Sequence, residues 1–539
     1  MNSLRQGPLL PFLLFVGAAA LYAINLNKAP DFDELYHILA ARGYLQTGDF
    51  VIAEGVYRRG GPFTWTIAQL FGMFGEDRWV ARLPSLISVA LMVPLLFVWV
   101  RREVGNVAGV LAALLFAVAP FTVDIAQFAR FYGIHGLAFL VGCFAVYAAV
   151  AGDHTRNARI VLGLVAILSL AIATFFQVTT LIGVAGLGLW AVLYLFGPWF
   201  LRKDVPAGRK IGLIVAGLLL LVLALVVAQA TGKLDVALRM YRATPQWSAE
   251  NAGNVVYYHT WFLLFYPTLW TLLPVLLAVA LVAAPRPTFF AAVLFGLGIA
   301  LHSFAGNKSM RYVFYVLPFL YIIWGIALAA LIRRVVSFTR AHAGIAFARL
   351  APGRSAGTAA TIFLVLAVLW VVGANAAFVR TVTLLADITV PPAQPAPRWA
   401  EVLPILRPDL EKADVVLTSN ELDSLYFLGR YDILISRSRM GEVRTQGRGK
   451  EEFTLDIRTE RPVVATPDAV DKIIDCFPTG LLVTPTFRWR NQPMIDDSVA
   501  DLVVRRMEPI DLPDGSRIKA FRWSHPPTGR QDCPVLPHR

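Results

Sequence analysis

Long apolar runs recur through the first two-thirds of the chain and then stop, and this pattern limits the fold more than any other feature. A helix needs about 20 mostly apolar residues to cross a bilayer, where an open backbone cannot satisfy its polar groups. Runs of that length predict eleven spanning helices, near 8–26, 79–100, 104–121, 133–151, 160–177, 179–200, 211–230, 261–284, 288–305, 311–332 and 357–378. With 57% apolar and only 16% charged residues, the composition also argues against an ordinary soluble enzyme.

The distribution of basic residues predicts how these helices are oriented. The net charge of +13 is spread over short connections between apolar runs, so no nucleic-acid partner is expected. With a cytoplasmic N-terminus, the inner connections contain Arg101, Arg102, Arg156, Arg159, Arg202, Lys203, Arg209, Lys210, Arg286, Arg333, Arg334 and Arg340. This positive-inside pattern predicts a multi-pass membrane protein. It places the loops 27–78, 122–132, 231–260 and 306–310, and the C-terminal region, on the outer side.

Two details near the ends of the chain leave alternatives open. The first apolar run could also be a cleaved signal peptide, but it is long for one, and an anchor fits the following membrane segments better.

Cys143 falls inside a predicted span, whereas Cys476 and Cys533 lie in the outer C-terminal region. An oxidising compartment permits those two to form a disulfide, and two separate thiols are equally consistent with the sequence.

The C-terminal region has the pattern of a separate domain. After the proline-rich segment 391–397 the apolar runs become short and predict strands at 414–419, 431–436, 463–466, 481–484 and 518–523, with helices at 421–428, 467–477 and 496–507. Such alternation is typical of a small α/β domain. The expected fold is a polytopic α-helical membrane domain at 1–380, with outer loops 27–78 and 231–260, followed by a soluble periplasmic α/β domain at 381–539. In the first loop, 33–46 has helical spacing and predicts a helix lying at the membrane surface.

An acidic cluster, Asp31, Asp33 and Glu34, begins the first outer loop and is followed by Tyr36 and His37. Three carboxylates so close together repel one another, and such clusters persist where they bind a cation or where one acts as a base. The alternative is a solvated turn in which Asp33 caps the next helix.

Arginines in the first two outer loops are candidates for binding a phosphate. Arg58 and Arg59 precede two glycines, and guanidinium groups match phosphate oxygens, although lipid headgroups would attract them as well. In the second loop Asp124, Gln127 and Arg130 are spaced by three, so a helix would place them near one face. Pairing of Asp124 with Arg130 is the simpler explanation of that spacing.

A third group, His302, Lys308 and Arg311, lies around the loop 306–310. Its two cations, Lys308 and Arg311, are predicted to lie on the outer side, where the positive-inside rule does not explain them. An anionic ligand explains them better, and anchoring to lipid headgroups is the alternative. A carboxylate base beside several cations is what sugar transfer from a lipid phosphate requires. The base takes a proton from the acceptor hydroxyl, and the cations stabilise the phosphate that leaves.

Three segments, in order within roughly residues 10–330, resemble the GT-C class of polytopic glycosyltransferases. They are Asp33–His37, Gly75–Ser85 and Ala119–Gly133, the last containing Gln127-Phe-Ala-Arg130-Phe-Tyr132. Within that class the pattern is most similar to protein O-mannosyltransferases and lipid A aminoarabinose transferases. Two departures are a phenylalanine, Phe128, where relatives often have an acidic residue, and Gly-Gly-Pro at 60–62 where they tend to have Lys-Pro-Pro.

The resemblance implies a polyprenyl-phosphate sugar donor and a lipid- or polymer-linked acceptor. It implies that Asp33 is the catalytic base or orients the acceptor, that Glu34 supports it and that Arg130 contacts the donor phosphate; Arg58 or Arg59 would replace the lysine of relatives. It implies no obligatory metal, and a divalent cation at the acidic cluster remains an alternative.

The sequence therefore predicts an inverting glycosyltransferase acting at the periplasmic face on a glycolipid, polysaccharide or protein. Lys308 and Arg311 would join the phosphate site, and Asp124, Tyr36, His37 and His302 would support it or hold the acceptor. A transporter or flippase for lipid-linked saccharides would instead place charges near the bilayer midplane, where the predicted spans have almost none. A ligase that uses a diphosphate donor is not separated from this prediction by sequence.

Overall fold

The computed structural model describes residues 8–202, 204–242, 251–346, 362, 366, 369–370, 373–389, 395–445, 452–530 and 532–536. The chain divides into two compact units. The helical unit comprises Met1–Asn25 and Ser85–Ile388, and the α/β unit comprises Leu26–Pro84 and Thr389–Arg539. Residues 26–84 are thus grouped with the C-terminal residues, and the expected division of the chain near residue 380 stays a prediction.

The described helices up to residue 389 are α1 (Leu9–Ala23), α2 (Phe32–Thr47), α3 (Gly61–Phe74), α4 (Arg78–Glu103), α5 (Asn106–Ala117), α6 (Pro120–Ala126), α7 (Tyr132–Ala151), α8 (Arg156–Phe176), α9 (Thr180–Leu201), α10 (Ala207–Ala230), α11 (Lys233–Arg242), α12 (Tyr257–Phe265), α13 (Pro267–Thr271), α14 (Leu273–Ala283), α15 (Pro285–Phe304), α16 (Met310–Val313), α17 (Leu317–Ala346) and α18 (Ala376–Leu385). The short strands β1 (Val51–Ile52) and β2 (Gly55–Val56) form an antiparallel hairpin between α2 and α3.

Six helical stretches of the described residues are long and apolar enough to cross a membrane: α4, α7, α8, α9, α15 and Met310–Ser337. The pair α5 and α6 makes a seventh if its 63° bend is counted as one span. The bend follows from Pro120, because the residue before a proline is driven out of the helical region, and Ala119 is extended (φ −67°, ψ 134°). The chain thus has the helices of a multi-pass membrane protein.

Each of the first ten predicted spans falls on helical residues, but the number eleven stays a prediction. The predicted span 261–284 is divided into α12, α13 and α14, with prolines in the first turns of the last two. The helices α1 and α14 are apolar but shorter than a full span. Most of the predicted span 357–378 lies outside the described residues.

The helical unit is packed through small residues and an aromatic core. A Cβ placed on Gly325 of α17 would lie 2.7 Å from the Ala112 side chain of α5, so the two helices approach each other at backbone contact. Trp99 of α4 stacks on Phe144 of α7 at 4.5 Å, and Phe290 of α15 lies 5.6 Å from Trp99. Much of the apolar surface of α8 and α9 is exposed, as expected of helices that face lipid.

The predicted helix 33–46 is confirmed as α2, but its burial differs from expectation. A helix lying at the membrane surface keeps one polar face in water, whereas residues 34–41 of α2 are all buried. The spacing of the apolar residues misleads because polar residues of the helix are buried as well: Glu34 and His37 both have hydrogen-bond partners inside the α/β unit.

The C-terminal part of the α/β unit contains α19 (Trp399–Lys412), α20 (Glu421–Asp423), α21 (Arg437–Thr445), α22 (Pro467–Cys476) and α23 (Asp497–Arg506). Its strands are β3 (Val415–Thr418), β4 (Ile433–Ile435), β5 (Thr454–Leu455), β6 (Pro462–Val464), β7 (Thr479–Pro485), β8 (Glu508–Ile510) and β9 (Ile518–Ser524). All five predicted strands and all three predicted helices are present, the first helix continuing from α20 into a π-helical turn that ends at Gly429 (φ 77°).

The seven strands β3–β9 form one mixed sheet in the order β5-β6-β4-β3-β7-β9-β8. The four central strands β6, β4, β3 and β7 are parallel, and the others join antiparallel. The chain moves outward from β3 through β4 and β6, then returns to β7 on the other side of β3. The carboxyl ends of β3 and β7 therefore flank a topological switch point, the usual place for a binding site in such sheets.

The two C-terminal cysteines are joined. Cys476, the last residue of α22, forms a disulfide with Cys533, 57 residues further along the chain. Of the two possibilities that the sequence left open, the structure has the disulfide. The bond links the segment around Cys533 to the end of α22 in the α/β unit.

Candidate functional site

The acidic cluster lies at the N-terminus of α2, and its three carboxylates have different environments. Asp31 is the N-cap: its side chain accepts from the backbone N–H of Asp33 at 2.8 Å. Glu34 completes a capping box by accepting from the backbone N–H of Asp31 at 2.7 Å. The cap is therefore Asp31, not Asp33 as the alternative interpretation of the sequence had it. Asp33 lies in the first turn, with a half-buried side chain.

Glu34 is held by a buried arginine, Arg82, near the start of α4. Arg82 Nε donates to Glu34 Oε1 at 2.8 Å and Nη2 to Oε2 at 2.7 Å, and both side chains are almost completely buried. The carboxylate oxygens of Glu34 are thus both engaged in a bidentate ion pair. This geometry suits a supporting residue better than a base.

Tyr36 and His37 continue α2 into the interior of the α/β unit. The hydroxyl of Tyr36 accepts from Arg439 Nη2 at 2.8 Å, and its ring stacks on Tyr57 at 4.9 Å. Burial raises the pKa of Tyr36, so the phenol is neutral. His37 Nδ1 lies 2.8 Å from Thr64 Oγ1, on α3. The structure places both side chains in packing contacts around α2.

Arg58 and Arg59, the candidate phosphate ligands of the first loop, are exposed side chains between β2 and α3. Arg58 lies 3.6 Å from the carboxylate of Asp49, with 78% of the arginine side chain exposed. An ion pair so exposed contributes little to stability and is readily exchanged for another anion.

A buried polar network at the carboxyl ends of the central strands was missed by the sequence argument. Arg439 follows β4 and pairs with Glu421 at 2.7 Å, while its Nε lies 3.7 Å from Asp456. Arg488 follows β7, donates to the backbone of Ser419 at 2.6 Å and lies over the ring of Phe32 at 5.0 Å. The sequence did contain a signal for this network, because charged residues follow the runs that predict buried strands. The carboxyl ends of parallel strands lie at one edge of the sheet, so residues that follow those strands come close together.

Burial shifts the acid–base behaviour of this network. It raises the pKa of the Asp423 carboxyl to about 6, although the nearby Arg488 opposes the shift. Burial lowers the pKa of Arg488. Burial also acts to lower the pKa of Arg439, but the combined effect of Glu421, Tyr36, Asp456 and Glu442 is larger and holds that pKa well above its usual range. Asp423 is consequently a carboxyl group that titrates close to neutral pH.

In the helical unit, Asp124, Gln127 and Arg130 do not share one helix face. The helix α6 ends at Ala126, and Arg130 lies in the turn that follows. Gln127 Nε2 donates to the carbonyl oxygens of Tyr22 at 3.0 Å and Ile24 at 2.6 Å, so it ties the end of α1 in place. Arg130 is buried with its guanidinium 5.6 Å from the Phe131 ring, and Asp124 is half-buried on α6.

The segments around the loops 122–132 and 306–310 meet through an aromatic and cationic cluster. Arg311 lies over the ring of Phe128 at 5.8 Å, Phe128 stacks on Tyr132 at 6.4 Å, and Tyr132 contacts Tyr312 edge-on at 6.4 Å. Phe128 thus offers Arg311 the face of an aromatic ring. The structure therefore brings together the loops that carry Arg130 and Arg311.

Lys308 and His302, two further candidate site residues, are both buried. Lys308 Nζ donates to the carbonyl oxygens of Ala252 at 2.6 Å and Ala305 at 2.8 Å, and burial lowers its pKa. His302 is buried with Nε2 3.1 Å from the Tyr315 hydroxyl. The backbone contacts of Lys308 join the loop 306–310 to Ala252 in the segment 231–260. Two of its three donors are used in this way, so its part in binding a phosphate remains a prediction.

Metal binding finds no further support in the geometry. No group of three or more His, Cys, Asp or Glu side chains among the described residues is arranged to hold a metal ion. At the acidic cluster, the contacts of Glu34 with Arg82 and of Asp31 with the helix backbone direct two of the three carboxylates elsewhere. The cation considered from the sequence is not confirmed.

The fold is shared with solved membrane glycosyltransferases. ArnT from Cupriavidus metallidurans bound to undecaprenyl phosphate matches with a TM-score of 0.62 at 15% identity, over 97% of this chain and 100% of that one. The apo oligosaccharyltransferase of Archaeoglobus fulgidus matches with a TM-score of 0.58 at 12% identity, over 90% of this chain and 70% of that one. The oligosaccharyltransferase AglB of the same organism, in complex with an inhibitory peptide and a dolichol-phosphate, gives 0.56 at 10%, over 88% and 69%.

No protein-family model and no curated protein matches the sequence. The structural likeness nevertheless covers almost the whole chain, so the protein has the GT-C fold. The resemblance seen in three short segments of the sequence is thereby confirmed at the level of the fold.

Proposed function

We propose that the protein is an inverting glycosyltransferase that moves a sugar from a polyprenyl-phosphate donor to a hydroxyl group of a glycolipid, polysaccharide or protein. The observation that carries the proposal is the ArnT-like fold, which extends over 97% of this chain and the whole of the ArnT chain. That relative was crystallised with undecaprenyl phosphate, and AglB with a dolichol-phosphate, which supports a lipid-phosphate donor for this chain.

In this proposal Asp33 takes the proton of the acceptor hydroxyl. The resemblance of the segment Asp33–His37 to the GT-C class supports this, and the ion pair of Glu34 with Arg82 suits a supporting residue beside it. The positive end of the helix also stabilises the carboxylate form that a base requires. A divalent cation is the alternative use of the cluster, and transfer that survives a chelator would remove it.

Arg130 and Arg311 bind the donor phosphate, assisted by Lys308 and by the exposed Arg58 or Arg59. The contact between Phe128 and Arg311 supports this assignment, because it brings the two outer loops with the buried or half-buried arginines together. As the sugar leaves, the phosphate regains negative charge, which fixed guanidinium groups stabilise most strongly in the transition state. Asp124, Tyr36, His37 and His302 have positioning roles.

We place the reaction at the periplasmic face of a bacterial inner membrane, with a cell-envelope glycan such as lipopolysaccharide as acceptor. The runner-up functions are a transporter or flippase of lipid-linked saccharides and a ligase using a diphosphate donor. A transporter moves the intact donor across the membrane without releasing undecaprenyl phosphate, whereas a ligase releases the diphosphate. The product therefore distinguishes all three.

The test uses purified protein in nanodiscs with synthetic undecaprenyl-phosphate hexoses and pentoses and a lipid extract as acceptor. Mass spectrometry should detect undecaprenyl phosphate and a glycosylated acceptor, and NMR of the purified product should show that the anomeric configuration of the donor sugar has been inverted. Asp33→Asn should reduce transfer at least 100-fold with unchanged donor binding, because removal of a general base typically costs two to four orders of magnitude. Full activity of this variant would remove Asp33 from the mechanism.

Arg130→Ala should weaken binding of undecaprenyl phosphate at least 10-fold, as loss of a charge-assisted hydrogen bond predicts. Arg444→Ala, which changes an exposed arginine of α21, is the matched control. Equal losses of donor and acceptor binding in Arg130→Ala would argue against a phosphate contact. In cells, the lipid-linked sugar that accumulates in a deletion strain identifies the donor.

A further inference from the structure

Arg82 is connected to the segment around Asp33 by every donor that it has. A guanidinium group offers five N–H donors. Two of them bind the carboxylate of Glu34, as described above, and the other three bind backbone carbonyl oxygens. Nη1 donates to Leu26 at 2.6 Å and Lys28 at 3.0 Å, and Nη2 to Ala29 at 3.3 Å. The side chain itself is 1% exposed.

These contacts lie on both sides of Asp33. Three fix the backbone at 26–29, which leads into the helix, and two fix the residue that immediately follows Asp33. Between them, the Asp31 cap sets the start of α2. With the chain held before and after it, the backbone that carries the Asp33 carboxylate has little freedom. Catalysis is sensitive to such placement, since a misplacement of about 1 Å costs on the order of 100-fold in rate.

We propose that Arg82 is a positioning residue of the transfer reaction, acting through Glu34 and the backbone of 26–29 to set the place of Asp33. The inference rests on the proposed function for its catalytic part. The guanidinium does not need to touch donor or acceptor in this role. Lysine cannot replace it, because an ammonium group has three donors and no fork to match a carboxylate while reaching three carbonyls.

The variants are Arg82→Lys, which keeps the charge, Glu34→Gln, which keeps the volume of the partner, and Arg82→Ala. The matched control is Arg42→Ala. Arg42 also makes a bidentate ion pair within the α/β unit: Nε donates to Glu76 Oε2 at 3.0 Å and Nη2 to Oε1 at 2.5 Å. It has no hydrogen bond to residues 26–34 among the described contacts. All variants are made in the full-length chain.

The first measurement does not depend on transfer. Hydrogen–deuterium exchange of wild-type protein in nanodiscs should show slow exchange at 31–36, and Arg82→Lys and Glu34→Gln should accelerate it at least 10-fold there while leaving 415–418 of β3 unchanged. The control Arg42→Ala should match wild type at 31–36. Unchanged exchange in both Arg82→Lys and Glu34→Gln would overturn the proposal.

The second measurement is transfer from the undecaprenyl-phosphate sugar that serves wild type. Arg82→Lys should lower kcat at least 30-fold with donor KM within 2-fold, and added guanidinium at millimolar concentration should restore part of kcat in Arg82→Ala. A raised KM at unchanged kcat, or wild-type kcat in Arg82→Lys, would refute positioning. If Arg82→Ala does not fold, Arg82→Lys and Glu34→Gln decide alone. If wild type transfers no sugar, the proposed function fails while the exchange result still stands or falls by itself.

Discussion

The buried carboxyl of Asp423 makes a prediction about stability and pH. Burial raises its pKa to about 6, roughly two units above an ordinary aspartate, and each unit corresponds to about 1.4 kcal/mol. Below pH 4 the carboxyl group is protonated in both the folded and the unfolded state, so it does not lower the free energy of unfolding. As pH rises through 6 the buried group ionises, and at pH 8 it lowers the free energy of unfolding by about 3 kcal/mol.

Asp423→Asn should remove this cost. Asn420 Nδ2 and Trp399 Nε1 both donate to one carboxyl oxygen, at 2.5 and 3.3 Å, and an amide oxygen can accept both. The free energy of unfolding of the variant should therefore rise by about 3 kcal/mol relative to that of wild type as pH is raised from 4 to 8. For a folding unit of about 200 residues, this gain raises the midpoint of thermal unfolding by about 6 to 12 °C.

The assay is thermal unfolding of the full-length protein in detergent, followed by tryptophan fluorescence at several pH values between 4.5 and 8. Other groups of the network titrate in the wild type as well as in the variant, so the difference between the two isolates Asp423. Asp514→Asn, which changes an exposed turn residue, is the control and should show no such trend. A difference between Asp423→Asn and wild type that stays constant across this range would refute the reasoning.

Two further predictions concern the disulfide and the orientation. Cys533→Ser should destabilise the α/β unit by about 4 kcal/mol, because the bond to Cys476 closes a loop of 57 residues, and reductant should lower the unfolding midpoint of wild type but not of the variant. In intact cells, a membrane-impermeant maleimide should label Asp514→Cys at once and Arg102→Cys only after permeabilisation; the reverse order would overturn the orientation that the basic residues predict.

Sequence predicted the positions of elements well because local patterns determine them. Apolar runs place the helices, and short buried runs such as β3 and β7 mark parallel strands. Breaks in the helices were not predicted, and neither were seven elements of the α/β unit: α3, α19, α21, β1, β2, β5 and β8. The helix α19 contains Pro404 and Pro408, residues that sequence patterns treat as ends of helices, and β8 is a three-residue edge strand without a continuous apolar run.

Contacts between distant segments were beyond the sequence for a different reason. Tyr36 and Arg439 are separated by 403 residues, and Glu54 and Arg461 by 407, yet both pairs are hydrogen-bonded within the α/β unit. No local pattern reports such pairing. The grouping of the first outer loop with the C-terminal residues, and the network at the switch point, therefore required the fold.

The acidic cluster illustrates how the fold assigns different roles to residues that look equivalent in sequence. Three carboxylates within four positions offered three candidate bases. The backbone of α2 engages Asp31 through the helix cap, and the guanidinium of Arg82 engages both oxygens of Glu34. Protonation of Glu34 would neutralise the partner of a buried arginine and leave that charge uncompensated, at a cost of about 3 to 5 kcal/mol. The same contacts that make Glu34 a poor base hold the backbone of Asp33 in place, so the proposals for Asp33 and Arg82 rest on one arrangement and can be tested separately.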